Sequence, residues 1–124
     1  MNHSLSNAEL KIAEIIWEKP GISSMDTVRL CAERYGWKKS TVFTLIRRMS
    51  EKKLLLSLDH CLEMTISRQN YLDQMASEVI SDDFSGSLPL FLTSFMRANT
   101  LSEAEVKELK KLISDYRGGS EHES

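Results

Sequence analysis

A chain of 124 residues with 41% apolar and 27% charged side chains has the balance of a soluble fold with a modest buried core, which excludes wholesale disorder. The longest apolar run, Leu88 to Met96, is too short for a bilayer and contains Thr93 and Ser94. The net charge of −2 conceals an asymmetry: residues 1–58 carry ten Lys and Arg against six Asp and Glu, whereas residues 59–124 carry six against twelve. Only the front half is suited to approach a polyanion.

The amino terminus, MNHSLSNAELK, lacks the regions of a signal peptide, so the expected location is the cytoplasm. In LSNAEL, Ser6 and Glu9 form a capping box, and Leu5 and Leu10 stand at the positions of a hydrophobic staple. A first helix is expected from about Asn7 to Glu18, with Leu10, Ala13 and Trp17 on one stripe and Ile12 and Ile16 beside it. A second begins at Ser23, buries Val28, Cys31, Ala32 and Tyr35, and stops at Gly36. A third follows after Trp37 and Lys38, with Val42, Leu45, Ile46 and Met49 recurring at helical spacing as one inward stripe.

Beyond Leu54 the pattern changes to LLLSL, then Asp59-His60-Cys61, then LEMTI, which fits two short antiparallel strands around a tight turn containing Cys61. Ser67 caps a further helix lined by Tyr71, Leu72, Met75, Ala76, Val79 and Ile80, which Asp82, Asp83, Ser85 and Gly86 interrupt. The last two helices carry Leu88, Phe91, Leu92, Phe95 and Met96, and then Val106, Leu109, Leu112, Ile113 and Tyr116. The second of these starts at another capping box, Ser102 with Glu105.

The expected fold is therefore mainly α with a small β-hairpin wing. Residues 1–68 form a winged helix-turn-helix head, 69–118 a helical dimerisation region, and 119–124 a flexible tail.

The third helix carries the functional signal. Six cations fall within the seventeen residues from Trp37 to Lys53. Opposite the apolar stripe lie Ser40, Thr44 and Arg47, with Phe43 on one flank and Thr41 and Arg48 on the other. Hydroxyls and guanidiniums can bond phosphate and base edges, and an aromatic ring can touch the thymine methyl. Lys38 and Lys39 before the helix, and Lys52 and Lys53 after it, are placed to neutralise flanking phosphates. The apolar faces at Leu88, Phe91, Leu92, Phe95, Met96, Val106, Leu109, Leu112 and Ile113 exceed what one thin segment can cover, which points to a homodimer, with folding back of these helices on the winged head as the alternative.

Competing functions fare worse. Cys31 and Cys61 lie thirty residues apart without a CxxC or CxC pairing, which supports neither a disulfide framework nor a thiolate metal site, so no metal and no cofactor is expected. The histidines, His3, His60 and His122, do not assemble with a nucleophile, and no phosphate loop or paired-carboxylate motif occurs, so no catalytic residues are assigned. A winged-helix adaptor that binds protein instead of DNA is the alternative, since fold alone does not fix function.

Four blocks carry a resemblance to a known family: LSNAELKIAEIIWE, the Trp37 to Arg48 segment, FSGSLPLFLTSFM and LSEAEVKELKKLI. In this order they resemble the BlaI/MecI/CopY family of bacterial winged-helix repressors, of the penicillinase-repressor type, over almost the whole chain. The resemblance implies a homodimer on palindromic double-stranded operator DNA that represses downstream genes until an inducing signal arrives. It carries Ser40, Thr41, Thr44, Arg47 and Arg48 over as DNA contacts. Phe43 departs from the pattern, where a polar or basic residue is common. The wing departs as well, since it bears Asp59 and Glu63 and no Lys or Arg. The paired CxC motifs of copper-responsive members are absent. Penicillin-responsive members are cleaved between head and dimerisation helices, commonly at an Asn-Phe bond. The corresponding place is near Glu78 and Val79, in SEVISDDF, whose chemistry differs from that bond; this is the candidate cleavage region, with a membrane sensor protease as the candidate partner that reads it.

Overall fold

The computed structural model describes residues 4–117, so the tail expected at 119–124 lies outside the described residues. The chain divides into two compact units, Met1–Glu78 and Val79–Ser124. The element order is α1 (Asn7–Glu18), α2 (Ser24–Tyr35), α3 (Lys39–Glu51), β1 (Leu55–Leu58), β2 (Cys61–Met64), α4 (Arg68–Asp83), α5 (Leu88–Ala98) and α6 (Glu103–Asp115). This is the expected winged-helix architecture, mainly helical with one hairpin. No helix among the described residues is long and apolar enough to cross a membrane.

Local sequence sets the helix starts. At α1, Glu9 N–H donates to Ser6 Oγ at 3.1 Å and Ser6 N–H donates to Glu9 Oε1 at 2.9 Å, closing the capping box. At α6 the same exchange joins Ser102 and Glu105 at 3.0 and 2.9 Å. Each box satisfies donors that the first helical turn leaves without intrahelical partners, an effect of about 1 kcal/mol. Gly36 ends α2 in the left-handed region, with φ of 68°, where a side chain would be strained.

The core of the first unit gathers Ile12, Ala13, Ile15 and Ile16 of α1, Cys31 of α2, Val42, Leu45, Ile46 and Met49 of α3, and Leu55 and Leu62 of the hairpin. Full burial of an aliphatic side chain of this size contributes about 1.5–3 kcal/mol, so these residues hold the three helices and the hairpin as one body. The α3 stripe is the expected one. In α1 the buried side turns toward Ile12, Ile15 and Ile16, leaving Leu10 and Trp17 half-buried. Trp17 keeps its indole at the edge, where Nε1–H donates to the Ile66 carbonyl at 2.9 Å.

In α2 the expectation for Ala32 is corrected: it is exposed, and Ser24, Thr27 and Cys31 are the buried residues. Two of those are polar and tolerate burial because their hydroxyls find carbonyls. Thr27 Oγ1 donates to Ser23 O at 2.9 Å, and Ser24 Oγ donates to His60 O at 3.4 Å.

The hairpin pairs Leu55 with Met64 through Leu58 with Cys61. Its turn is Asp59-His60 alone, so Cys61, expected in the turn, is instead the first residue of β2. Both turn residues have positive φ, 51° and 64°, which a two-residue hairpin of the I′ kind requires and which Asn-Gly would adopt with less strain. Sequence patterning does not reveal a third component. Residues 21–24 run along the other edge of β2, with Gly21 N–H donating to Leu62 O, Leu62 N–H to Ile22 O and Ser24 N–H to His60 O at 2.8–2.9 Å.

The division between units falls inside α4, later than the expected 68/69 boundary, because the first turns of α4 are anchored on α1. Tyr71 is buried, its hydroxyl accepts from Leu5 N–H at 2.8 Å, and its ring lies 5.9 Å from that of Trp17. In the second unit, α4 ends at Asp83 and the chain reverses through Ser85 and Gly86, both at positive φ. Ser87 caps α5 by accepting from Leu90 N–H at 3.0 Å.

Candidate nucleic-acid interface

Helix α3 turns one side entirely into the core and leaves the other in solvent. Ser40, Thr41, Phe43, Arg47 and Arg48 are exposed and Thr44 is half-buried, so all six residues expected on the reading face share the outward side. Val42, Leu45, Ile46 and Met49 are at most 7% exposed, which fixes the rotation of α3 about its own axis. A polar face held by such a stripe needs little ordering when it meets a partner.

The amino-terminal end of α3 differs from those of α1, α2, α5 and α6, which serine hydroxyls cap. Its N-cap is Lys38, and no side chain bonds the first N–H groups. The unsatisfied donors, the positive end of the helix dipole and the exposed Lys38 and Lys39 make this end attractive to phosphate.

Two contacts order the face. Lys39 Nζ lies 5.8 Å from the centroid of the Phe43 ring, a cation–π distance. Arg47 Nε lies 3.8 Å from Glu51 Oε2, with both side chains about two-thirds exposed. So solvated an ion pair contributes roughly 0–1 kcal/mol, and Arg47 is readily released to a stronger anion.

The carboxy-terminal end of α3 corrects one expectation. Lys52, expected beside Lys53 as a phosphate contact, turns back into the protein. Its ammonium donates to Glu9 Oε1 at 2.6 Å and to Ser4 O at 2.9 Å. The Glu9 side chain is only 3% exposed and that of Lys52 21%. A carboxylate so buried requires a cation, which draws Lys52 away from solvent. Burial pushes the Glu9 carboxyl upward, but hydrogen bonds from Lys52 and Ser6 and the Lys52 charge outweigh it, leaving Glu9 below its ordinary range.

Lys53 does face solvent. It occupies the left-handed position after α3, with φ of 65°, and closes a Schellman motif in which Lys53 N–H donates to Ser50 O at 2.9 Å and Leu54 N–H to Met49 O at 3.1 Å. The outer face of the wing carries Leu56, Leu58, Cys61 and Glu63, all exposed, so no cation from the hairpin joins the α3 surface. Cys31 is core, and burial pushes its thiol up from the ordinary cysteine value.

The second unit presents a different surface. No residue of α5 or α6 is buried. Leu88, Phe95, Met96, Leu112 and Ile113 are 44–68% exposed, while Phe91, Leu92, Val106 and Leu109 are half-buried. Phe91, Leu92, Phe95, Met96, Leu109 and Leu112 line an open apolar groove of about 310 Å³. Glu78 and Val79 lie within α4 with exposed side chains, so hydrolysis of the bond between them would require unwinding of the helix.

A family model described as Penicillinase repressor matches residues 5–115. The chain is also similar to a penicillinase repressor of Bacillus licheniformis, with 21% identity over 120 residues covering 91% of each chain.

Proposed function

Because the chain belongs to the penicillinase repressor family, we propose that it is a cytoplasmic, homodimeric transcriptional repressor that binds a palindromic operator through α3. The observation that carries this reading is the outward side of α3, where Ser40, Thr41, Thr44, Arg47 and Arg48 accompany an amino terminus without a side-chain cap. Inserted in a major groove, the arginines reach guanine or phosphate and the hydroxyls reach base edges and phosphate oxygens. Lys38, Lys39 and Lys53 neutralise phosphates on either side of the groove.

The apolar groove of α5 and α6 supports pairing with a second copy, which would set two α3 helices about 34 Å apart, one turn of DNA. Release is assigned to an inducing signal. Cutting between Glu78 and Val79 by a membrane sensor protease would free the heads from the pairing region. That loss alone would weaken operator binding, since two half-sites would no longer be held together.

The deciding experiment is titration of the full-length protein against duplex DNA from its own promoter over a range of salt. Affinity should fall steeply with salt, and Arg47→Ala with Arg48→Ala should abolish specific binding while leaving the melting temperature unchanged. Binding that is undetectable at low salt, or indifferent to the double substitution, would leave the winged-helix adaptor as the correct reading.

A further inference from the structure

We propose that Phe43 is a specificity-determining residue that reads thymine in each operator half-site by contact of its ring with the 5-methyl group. The proposal rests on the DNA-reading role of α3 and adds to it the base that one side chain selects.

Phe43 is 37% exposed although α3 has a complete core stripe without it, so its ring is left partly in solvent by the rotation of the helix and not by a shortage of apolar residues. It stands in a row with Lys39 and Arg47, at i, i+4 and i+8, along one side of the outward face. Lys39 lies over the ring at 5.8 Å, and Arg47 lies one turn beyond. The remaining neighbours along this side of α3, Ser40 and Thr44, are polar, so on its own helix the ring is a single apolar feature among donors.

Cations and hydroxyls bring this face against phosphates and polar base edges. Among the groups that base edges display in the major groove, the thymine methyl is the apolar one. A ring beside Lys39, in a row with Arg47 on a face that meets DNA, is therefore buried productively over thymine and meets polar edges elsewhere. Taking one methyl group out of water corresponds to about a fourfold change in affinity, and to about fifteenfold when both half-sites of a dimer contribute.

The test uses full-length wild-type protein and Phe43→Ala, each allowed to select fragments from a randomised duplex pool. Each thymine of the wild-type site is then replaced singly by deoxyuridine, which removes only the methyl. At one position per half-site the wild-type protein should lose about fourfold in affinity, and Phe43→Ala should show no loss there while retaining the other positions. Wild-type protein that tolerates deoxyuridine everywhere, or a loss shared equally by Phe43→Ala, overturns the thymine assignment and leaves the repressor reading intact. Failure of the wild-type protein to select any duplex defeats the DNA-binding reading itself. The deoxyuridine scan on wild-type protein needs no variant, so a folding defect in Phe43→Ala would not shelter the proposal.

Discussion

Replacing Lys52 with Met separates two roles that its sequence position cannot distinguish. The substitution keeps the length and apolar stem of the side chain and removes the ammonium, which donates at 2.6 Å to a carboxylate whose side chain is 3% exposed. Breaking a buried pair by removing one partner costs about 3–5 kcal/mol, because a charge is left buried without compensation. Lys52 itself is partly solvated, which places the expected loss near the lower end, about 3 kcal/mol in urea unfolding followed by circular dichroism. Glu9→Gln removes the charge but keeps a capping oxygen, so it should cost about 1–2 kcal/mol. The double substitution should be less destabilised than Lys52→Met alone, since no buried charge remains.

Binding gives the second readout. With its ammonium turned inward, Lys52→Met should leave the slope of log affinity against log salt unchanged, whereas Lys53→Met should reduce its magnitude by about 0.9 for each phosphate no longer neutralised. The pH dependence follows from the same pair. Glu9 is held below its ordinary value of 4.5, so its contribution is present above that pH and is lost as pH falls through the lower folded-state value. Glu9→Gln should flatten the stability profile below about pH 4.5. A Lys52→Met variant that melts within about 0.5 kcal/mol of wild type, and binds DNA with a shallower salt slope, would refute the inward assignment.

Two further outcomes are expected. Lys53→Gly and His60→Gly each relieve a left-handed backbone and should stabilise the head by roughly 0.5–1 kcal/mol in the same unfolding assay, while Lys53→Gly also leaves one phosphate without its cation and shows it in the salt slope. If the α5–α6 groove pairs two copies as proposed, Phe95→Asp should separate them: removing two rings from that contact weakens association by about 3–6 kcal/mol, enough for sedimentation to show monomers at micromolar concentration with an unchanged head.

What the sequence makes legible is local. The Ser6 and Ser102 capping boxes close within three residues, the α3 stripe repeats within two turns, and Gly36 marks a stop by its own backbone freedom. Misreadings arise where distant residues set the environment. Ala32 reads as an inward residue because it is apolar, yet the buried side of α2 runs through Ser24 and Thr27, whose hydroxyls are satisfied by His60 and Ser23 carbonyls. Lys52 reads as one more cation after a basic helix until Glu9, 43 residues earlier, is seen beside it. Residues 21–24 beside the wing contain no alternating pattern, because their role is to supply backbone groups to the β2 edge.

That last feature bears on how the protein survives at high concentration. A bare two-stranded ribbon has two open edges, each a template for adding a strand from another molecule and growing aggregates. The backbone before α2 occupies the β2 edge with two hydrogen bonds to Leu62, and Ser24 N–H adds a third to His60 of the turn, which leaves the β1 edge to recruit another chain. Loosening the Lys19–Ile22 turn, which Ile22 N–H closes on Lys19 O at 3.0 Å, would therefore do more than tilt the wing: it would expose a sticky strand and convert a folding defect into loss of soluble protein.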